Sequence, residues 1–173
     1  MSCRPRPWPT GRRRLGPHTA AMDIFEALLQ SHETQRALCA RLLAAIGDPA
    51  QRKPIFQELK NELAAHETAE ERMFYVPLIA HDETVDAARH GIAEHHEMDE
   101  MVEEMEKADD GSAEWLETAG KLVHKIEHHL KEEEEKFFPQ AREVLSRAQQ
   151  KELGRPYQEE HERLQAKEEQ EQP

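Results

Sequence analysis

The chain has 173 residues, 34% of them charged and 37% hydrophobic, with only 5% aromatic and seven glycines, a mix that suits long helices around one core better than a sheet. The net charge of −13 is uneven: residues 1–21 hold Arg4, Arg6, Arg12, Arg13 and Arg14 and no acid, so residues 22–173 carry −18, and such an acidic body repels a phosphate backbone, which argues against nucleic acid as the main partner. No run approaches the ~18 consecutive apolar residues of a membrane span, and no apolar run follows the basic start as in a secretory signal. The two cysteines, Cys3 and Cys39, make no disulfide framework and point to a reducing cytoplasmic compartment.

Residues 1–21, with four prolines, are expected to be a disordered basic leader, or sequence upstream of a natural start at Met22. Helical periodicity then runs from Met22 to Ile46 and stops at Gly47-Asp48-Pro49. A second helix is expected from about Ala50 to Val76, ending before Pro77. A third starts after Asp82, a candidate N-cap, and ends near Asp109-Asp110-Gly111. A fourth starts at Ser112 and reaches Phe138 before Pro139, with a helical extension to about Gln150. Residues 151–173 are expected to be a charged tail, frayed or solvated, in which Tyr157, His161 and Leu164 make at most a small apolar stripe. The three connections are short, so residues 22–150 read as an all-α, up-down-up-down four-helix bundle.

The inward stripe of each helix follows by alternating steps of three and four. The first gives Leu28, His32, Gln35, Cys39, Leu42 and Ile46; the second Phe56, Leu59, Leu63, His66, Glu70 and Met73. The third gives Ala88, Ile92, His95, Asp99, Val102 and Met105, and the fourth Ala119, Leu122, Ile126, His129, Glu133 and Phe137. Each stripe carries one histidine, and in the second and fourth a glutamate follows one turn later on the same face. His128 lies on a wholly polar stripe, and Glu132, Glu134 and Glu135 are expected to point to water. His32 to His66 and His95 to His129 are both 34 residues, and His32 to His95 and His66 to His129 both 63, so the chain reads as two copies of a helical hairpin. At ~1.5 Å per residue the four histidines fall at similar heights.

A buried carboxylate costs several kcal/mol unless it is paired or binds a cation. No lysine or arginine lies on the four stripes, and imidazole together with carboxylate suits iron. The candidate metal ligands are therefore His32, His66, Glu70, His95, His129 and Glu133, with Asp99 a possible addition. The second helix begins like the zinc-protease HExxH but has Glu70 in place of the second histidine, and no Glu-x-x-His precedes any histidine. Cys39 shares the stripe of His32, where core packing is the simplest reading and a redox role an alternative.

The segments HETAEERMFYVP, AEHHEMDEMVEEM and HHLKEEEEKFFP, with His32 in LLQSHETQRALCARLL, resemble the bacterial hemerythrin-like (HHE cation-binding) family over residues 22–150. The resemblance implies a non-haem di-iron site, with the four histidines as ligands and Glu70 and Glu133 as bridging carboxylates. Oxygen-carrying members usually have a further histidine one turn before His95, where this chain has Gly91. The function expected is binding or sensing of O2, NO or peroxide. The alternatives are a di-iron enzyme for NO or peroxide reduction or iron-centre repair, and a metal-free acidic interaction bundle.

Overall fold

A computed structural model describes residues 22–170, and they contain helices and no strand. Helix α1 (Ile24–Ala44) opens with a reciprocal cap: the Asp23 side chain accepts from the Glu26 backbone, and the Glu26 side chain accepts from the Asp23 N–H. Helix α2 (Pro49–Glu70) starts with Asp48 as N-cap and a proline in its first turn. It passes through a π turn (Glu71–Tyr75) into the short α3 (Val76–Ile79). Helix α4 (Val85–Lys107) is preceded by Thr84, not by the expected cap Asp82; the Thr84 hydroxyl donates to the Leu78 carbonyl instead of capping. Helix α5 (Ala113–Glu132) is capped by Ser112, as expected, and runs through a second π turn (Glu133–Phe137) into α6 (Phe138–Val144). These elements form the expected up-down-up-down bundle.

The two prolines do not stop their helices. In each π turn the next N–H reaches five residues back, Val76 to the Glu71 carbonyl and Phe138 to the Glu133 carbonyl. The extra residue widens the turn just where a proline ring would otherwise meet a carbonyl. It also shifts the register: Met73, expected inward, is partly exposed, while Phe74 and Tyr75 are buried.

The largest departure is at the C-terminus. The segment read as a solvated tail belongs to a fifth helix, α7 (Arg147–Gln170), lying along α1 and α2. Tyr157 is buried and Leu164 partly so. A Cβ on Gly154 would stand 2.1 Å from the Met22 carbonyl oxygen and 2.7 Å from the Asp23 carbonyl carbon, so glycine is what lets α7 rest on the start of α1. The expectations for residues 1–21 lie outside the described residues.

Two apolar clusters fill the bundle. One holds Leu42, Phe56, Leu59, Met105, Trp115 and Leu122 at the end closed by the 45–48 and 108–112 turns. Trp115 plugs that end, edge-on to Phe56 at 5.6 Å and beneath Arg52, which also grips Asp110 and the Ile46 carbonyl. The other cluster is aromatic: Phe25, Phe74 and Phe138 meet edge to face at 5.2–5.7 Å, worth about 1 kcal/mol per pair beyond area burial. The histidine layer lies between the clusters.

Cys39 belongs to the first cluster and is fully buried; burial, with Glu127 nearby, pushes its thiol up to about 12. A Cys3→Ser protein is therefore expected to react with a thiol reagent at least ~100-fold more slowly in native buffer than in denaturant. Comparable rates in the two conditions would restore the redox reading of Cys39.

Candidate metal centre

The four expected histidines and two expected glutamates are all buried, none more than 2% exposed. Their arrangement is regular. His32 Nε2 lies 3.3 Å from Glu133 Oε2, and His129 Nε2 3.6 Å from the same oxygen. His66 Nε2 lies 3.3 Å and His95 Nε2 3.4 Å from Glu70 Oε2. Each carboxylate thus spans two imidazoles on different helices. Ligand atoms of His32, His66, Glu70 and Glu133 fall within 4.8 Å of one another, as do those of Glu70, His95 and His129. The two groups share Glu70.

Every imidazole is also held from behind. His32 Nδ1 lies 2.8 Å from Glu134 Oε1, His95 Nδ1 3.1 Å from Glu71 Oε1, and His129 Nδ1 2.8 Å from Glu94 Oε2. His66 Nδ1 meets both Ser31 Oγ and Tyr157 Oη at 2.9 Å, and Ser31 in turn donates to Glu62. With Nδ1–H donated outward, each neutral ring turns the lone pair of Nε2 inward. Outer carboxylates of this kind fix ring orientation and raise ligand basicity at metal sites.

The inward atoms lack partners. His32 Nε2, His66 Nε2, both Glu70 oxygens and Glu133 Oε2 are buried without a hydrogen bond. His95 Nε2 and His129 Nε2 face each other at 3.1 Å, so with both protons on Nδ1 two lone pairs would oppose. Orphaned buried acceptors cost about 1–3 kcal/mol each, more if charged. A cation among them satisfies all of these atoms at once, so the residues fit a metal. Without one, protons must serve: burial disfavours a charged His32, but the adjoining carboxylates of Glu133 and Glu134 outweigh it and raise that imidazole to about 9. Burial likewise opposes ionisation of Glu70, yet His66 and His95 hold it well below the usual carboxylate range.

Asp99 is placed elsewhere. It is exposed, while Met98 takes the inward position, and it belongs to neither donor group. Burial, with Asp99 and Glu71 adding to it, pushes Glu67 well up against the pull of His95.

Glu134, expected to face water, orients His32 and is also held by Arg36 at 2.8 Å. The π turn brings consecutive residues 133 and 134 to the two sides of one imidazole. Sequence periodicity also missed Glu71, Glu94, Ser31, Glu62 and Tyr157. The only sequence signal for Glu71 and Glu134 was the doubled glutamate at each bridging position. A third, half-exposed group, His90, Glu94 and Glu132, lies behind His129, but Lys125 already pairs with Glu94 and Lys136 with Glu132. His161, on α7, lies 3.1 Å from Glu62 and lengthens the support behind His66. Among the described residues no helix is long and apolar enough to cross a membrane.

The sequence profile of the hemerythrin HHE cation-binding domain matches residues 23–141, which include all six inward donors. No curated protein and no solved structure matches the chain. The geometry and the profile agree, and the chain belongs to the hemerythrin HHE cation-binding family.

Proposed function

We propose that the chain is a cytoplasmic non-haem di-iron protein that binds or senses a small ligand, O2, NO or peroxide. The observation that carries this reading is the common orientation of the four imidazoles: each turns Nε2 inward around two carboxylates, and each has Nδ1 held from outside. His32, His66, Glu70 and Glu133 would hold one ion, and Glu70, His95 and His129 the other. Mixed imidazole and carboxylate donors suit iron. Bound iron supplies an electrophilic, redox-active centre for small ligands.

The protein's own part is placement and exclusion. Glu134, Glu71, Glu94 and the Ser31–Tyr157 pair fix the rings, so little reorganisation accompanies binding. The aromatic cluster and the Leu59–Leu122 cluster shut both ends of the layer to bulk water. The free, buried Cys39 and the paucity of cysteines support a reducing compartment.

The test is reconstitution with ferrous iron under anaerobic conditions, followed by metal analysis and a visible spectrum before and after O2. About two irons per chain are expected, as in other paired-carboxylate bundle sites, with a spectral change on O2 addition. His124→Ala and His128→Ala, both exposed positions, are expected to leave the iron content unchanged. Uptake of zinc alone, or of nothing, would defeat the proposal.

A further inference from the structure

The two donor groups are unequal: the first has four residues, the second three. Gly91 lies one turn before His95 on α4. Gly91 is buried, and a Cβ built on it would stand 2.2 Å from Tyr75 Oη and 2.4 Å from Cζ. The phenol of Tyr75 therefore fills the space into which any side chain at position 91 would point. Tyr75 comes from a different helix, and the first π turn is what brings it inward. It is fully buried, its ring lies 5.6 Å from that of His95, and its hydroxyl contacts Glu133 Oε1. That is not the oxygen facing His32 and His129, which is Oε2.

We propose that Tyr75 completes the three-residue group, binding through Oη as a phenolate the cation held by Glu70, His95 and His129. This rests on the cation-binding reading above. Three observations support it. The phenol oxygen occupies the space beside Gly91, one turn from His95. It adjoins His95, which belongs to the deficient group and not to the complete one. It is an oxygen donor, and a hard anionic oxygen suits a ferric ion beside imidazoles. The step is a ligand exchange: the O–H bond breaks, the proton leaves to solvent, an Oη–metal bond forms, and no electron moves. The chain's other tyrosine, Tyr157, is engaged on the Nδ1 side of His66, away from the inward atoms.

The experiment compares wild type and Tyr75→Phe, both loaded with iron and oxidised to the ferric state. Iron content, visible absorption and resonance Raman spectra are recorded on the same samples. Wild type is expected to show a phenolate-to-iron charge-transfer band and, on excitation in that band, phenolate ring modes. Tyr75→Phe is expected to lose the band and those modes while still holding iron. Should the variant fail to fold, wild type grown on ring-deuterated tyrosine serves: the modes must shift on deuteration. Iron-loaded wild type without phenolate modes, or a Tyr75→Phe spectrum identical to wild type, overturns the proposal and leaves Tyr75 a hydrogen-bond donor to Glu133. A wild type that takes up no iron overturns the di-iron reading along with it, so the two failures are distinguishable.

Discussion

Glu70→Ala is expected to empty the centre, whereas His129→Ala is expected to leave about half of the iron. The difference follows from membership. Glu70 belongs to both donor groups, and its Oε2 faces imidazoles of α2 and α4 at 3.3 and 3.4 Å. Neither Glu70 oxygen is committed to a hydrogen bond, which leaves both free for the cations. His129 belongs to the three-residue group alone. Removing it should release one ion and leave His32, His66, Glu70 and Glu133 in place. In iron per chain the expected series is about two for wild type, about one for His129→Ala and near zero for Glu70→Ala. The metal-free fold is affected as well. Taking the carboxylate from between His66 and His95 leaves charge-assisted contacts broken in a dry layer, a change that typically costs about 3–5 kcal/mol. Iron analysis alongside urea denaturation of the metal-free proteins checks both halves. Equal iron content in the two variants would show that Glu70 is not shared.

The helical seams and the depth of the histidine layer were legible because both depend only on period. A stripe with a step of 3.5 residues and equal spacings of 34 and 63 place four imidazoles at one height, whatever the details of packing. The register beyond each bridging glutamate was not legible. A π turn adds one residue without any composition signal of its own, and it exchanged Met73 for Phe74 and Tyr75 and turned Glu134 inward. Asp99 was ambiguous for a related reason. Met98 and Asp99 straddle the edge of the α4 stripe, and burial decides between them by chemistry: the thioether goes in and the carboxylate stays out. The outer carboxylates were invisible because a glutamate reaching an imidazole from a neighbouring helix has the same sequence signature as a solvated one. Glu94 shows how strong such a contact is. Burial should raise its carboxyl, yet hydrogen bonds from His129 and Lys125 hold it at about 2.

The fifth helix was misread for a different reason, and it carries the second large prediction. Gly154-Arg155-Pro156 reads as a helix stop in any local rule, yet α7 runs through all three residues. Position 154 is glycine because of neighbours at the far end of the described chain: a Cβ there would meet the backbone of Met22 and Asp23 at 2.1 and 2.7 Å. Main-chain atoms at a helix start fixed by the Asp23–Glu26 capping box have nowhere to move. Gly154→Val is therefore expected to lift α7 from α1. The loss takes with it the burial of Tyr157, the Tyr157–His66 hydrogen bond and the contacts of His161 and Gln165 with Glu62. Overpacking against backbone with loss of a buried aromatic should cost about 3 kcal/mol, a fall in Tm of roughly 6–12 °C for a chain of this size. Iron affinity should drop by about tenfold, because His66 loses its outer support. Gly120→Ala supplies the contrast. That glycine is exposed within α5 and has nothing within 4 Å of its added Cβ, so alanine should stabilise by about 0.5–1 kcal/mol through helix propensity. Opposite signs for two glycine substitutions in two helices would establish that α7 is seated on the bundle, while equal small effects would return residues 151–170 to the solvated tail that their composition suggests.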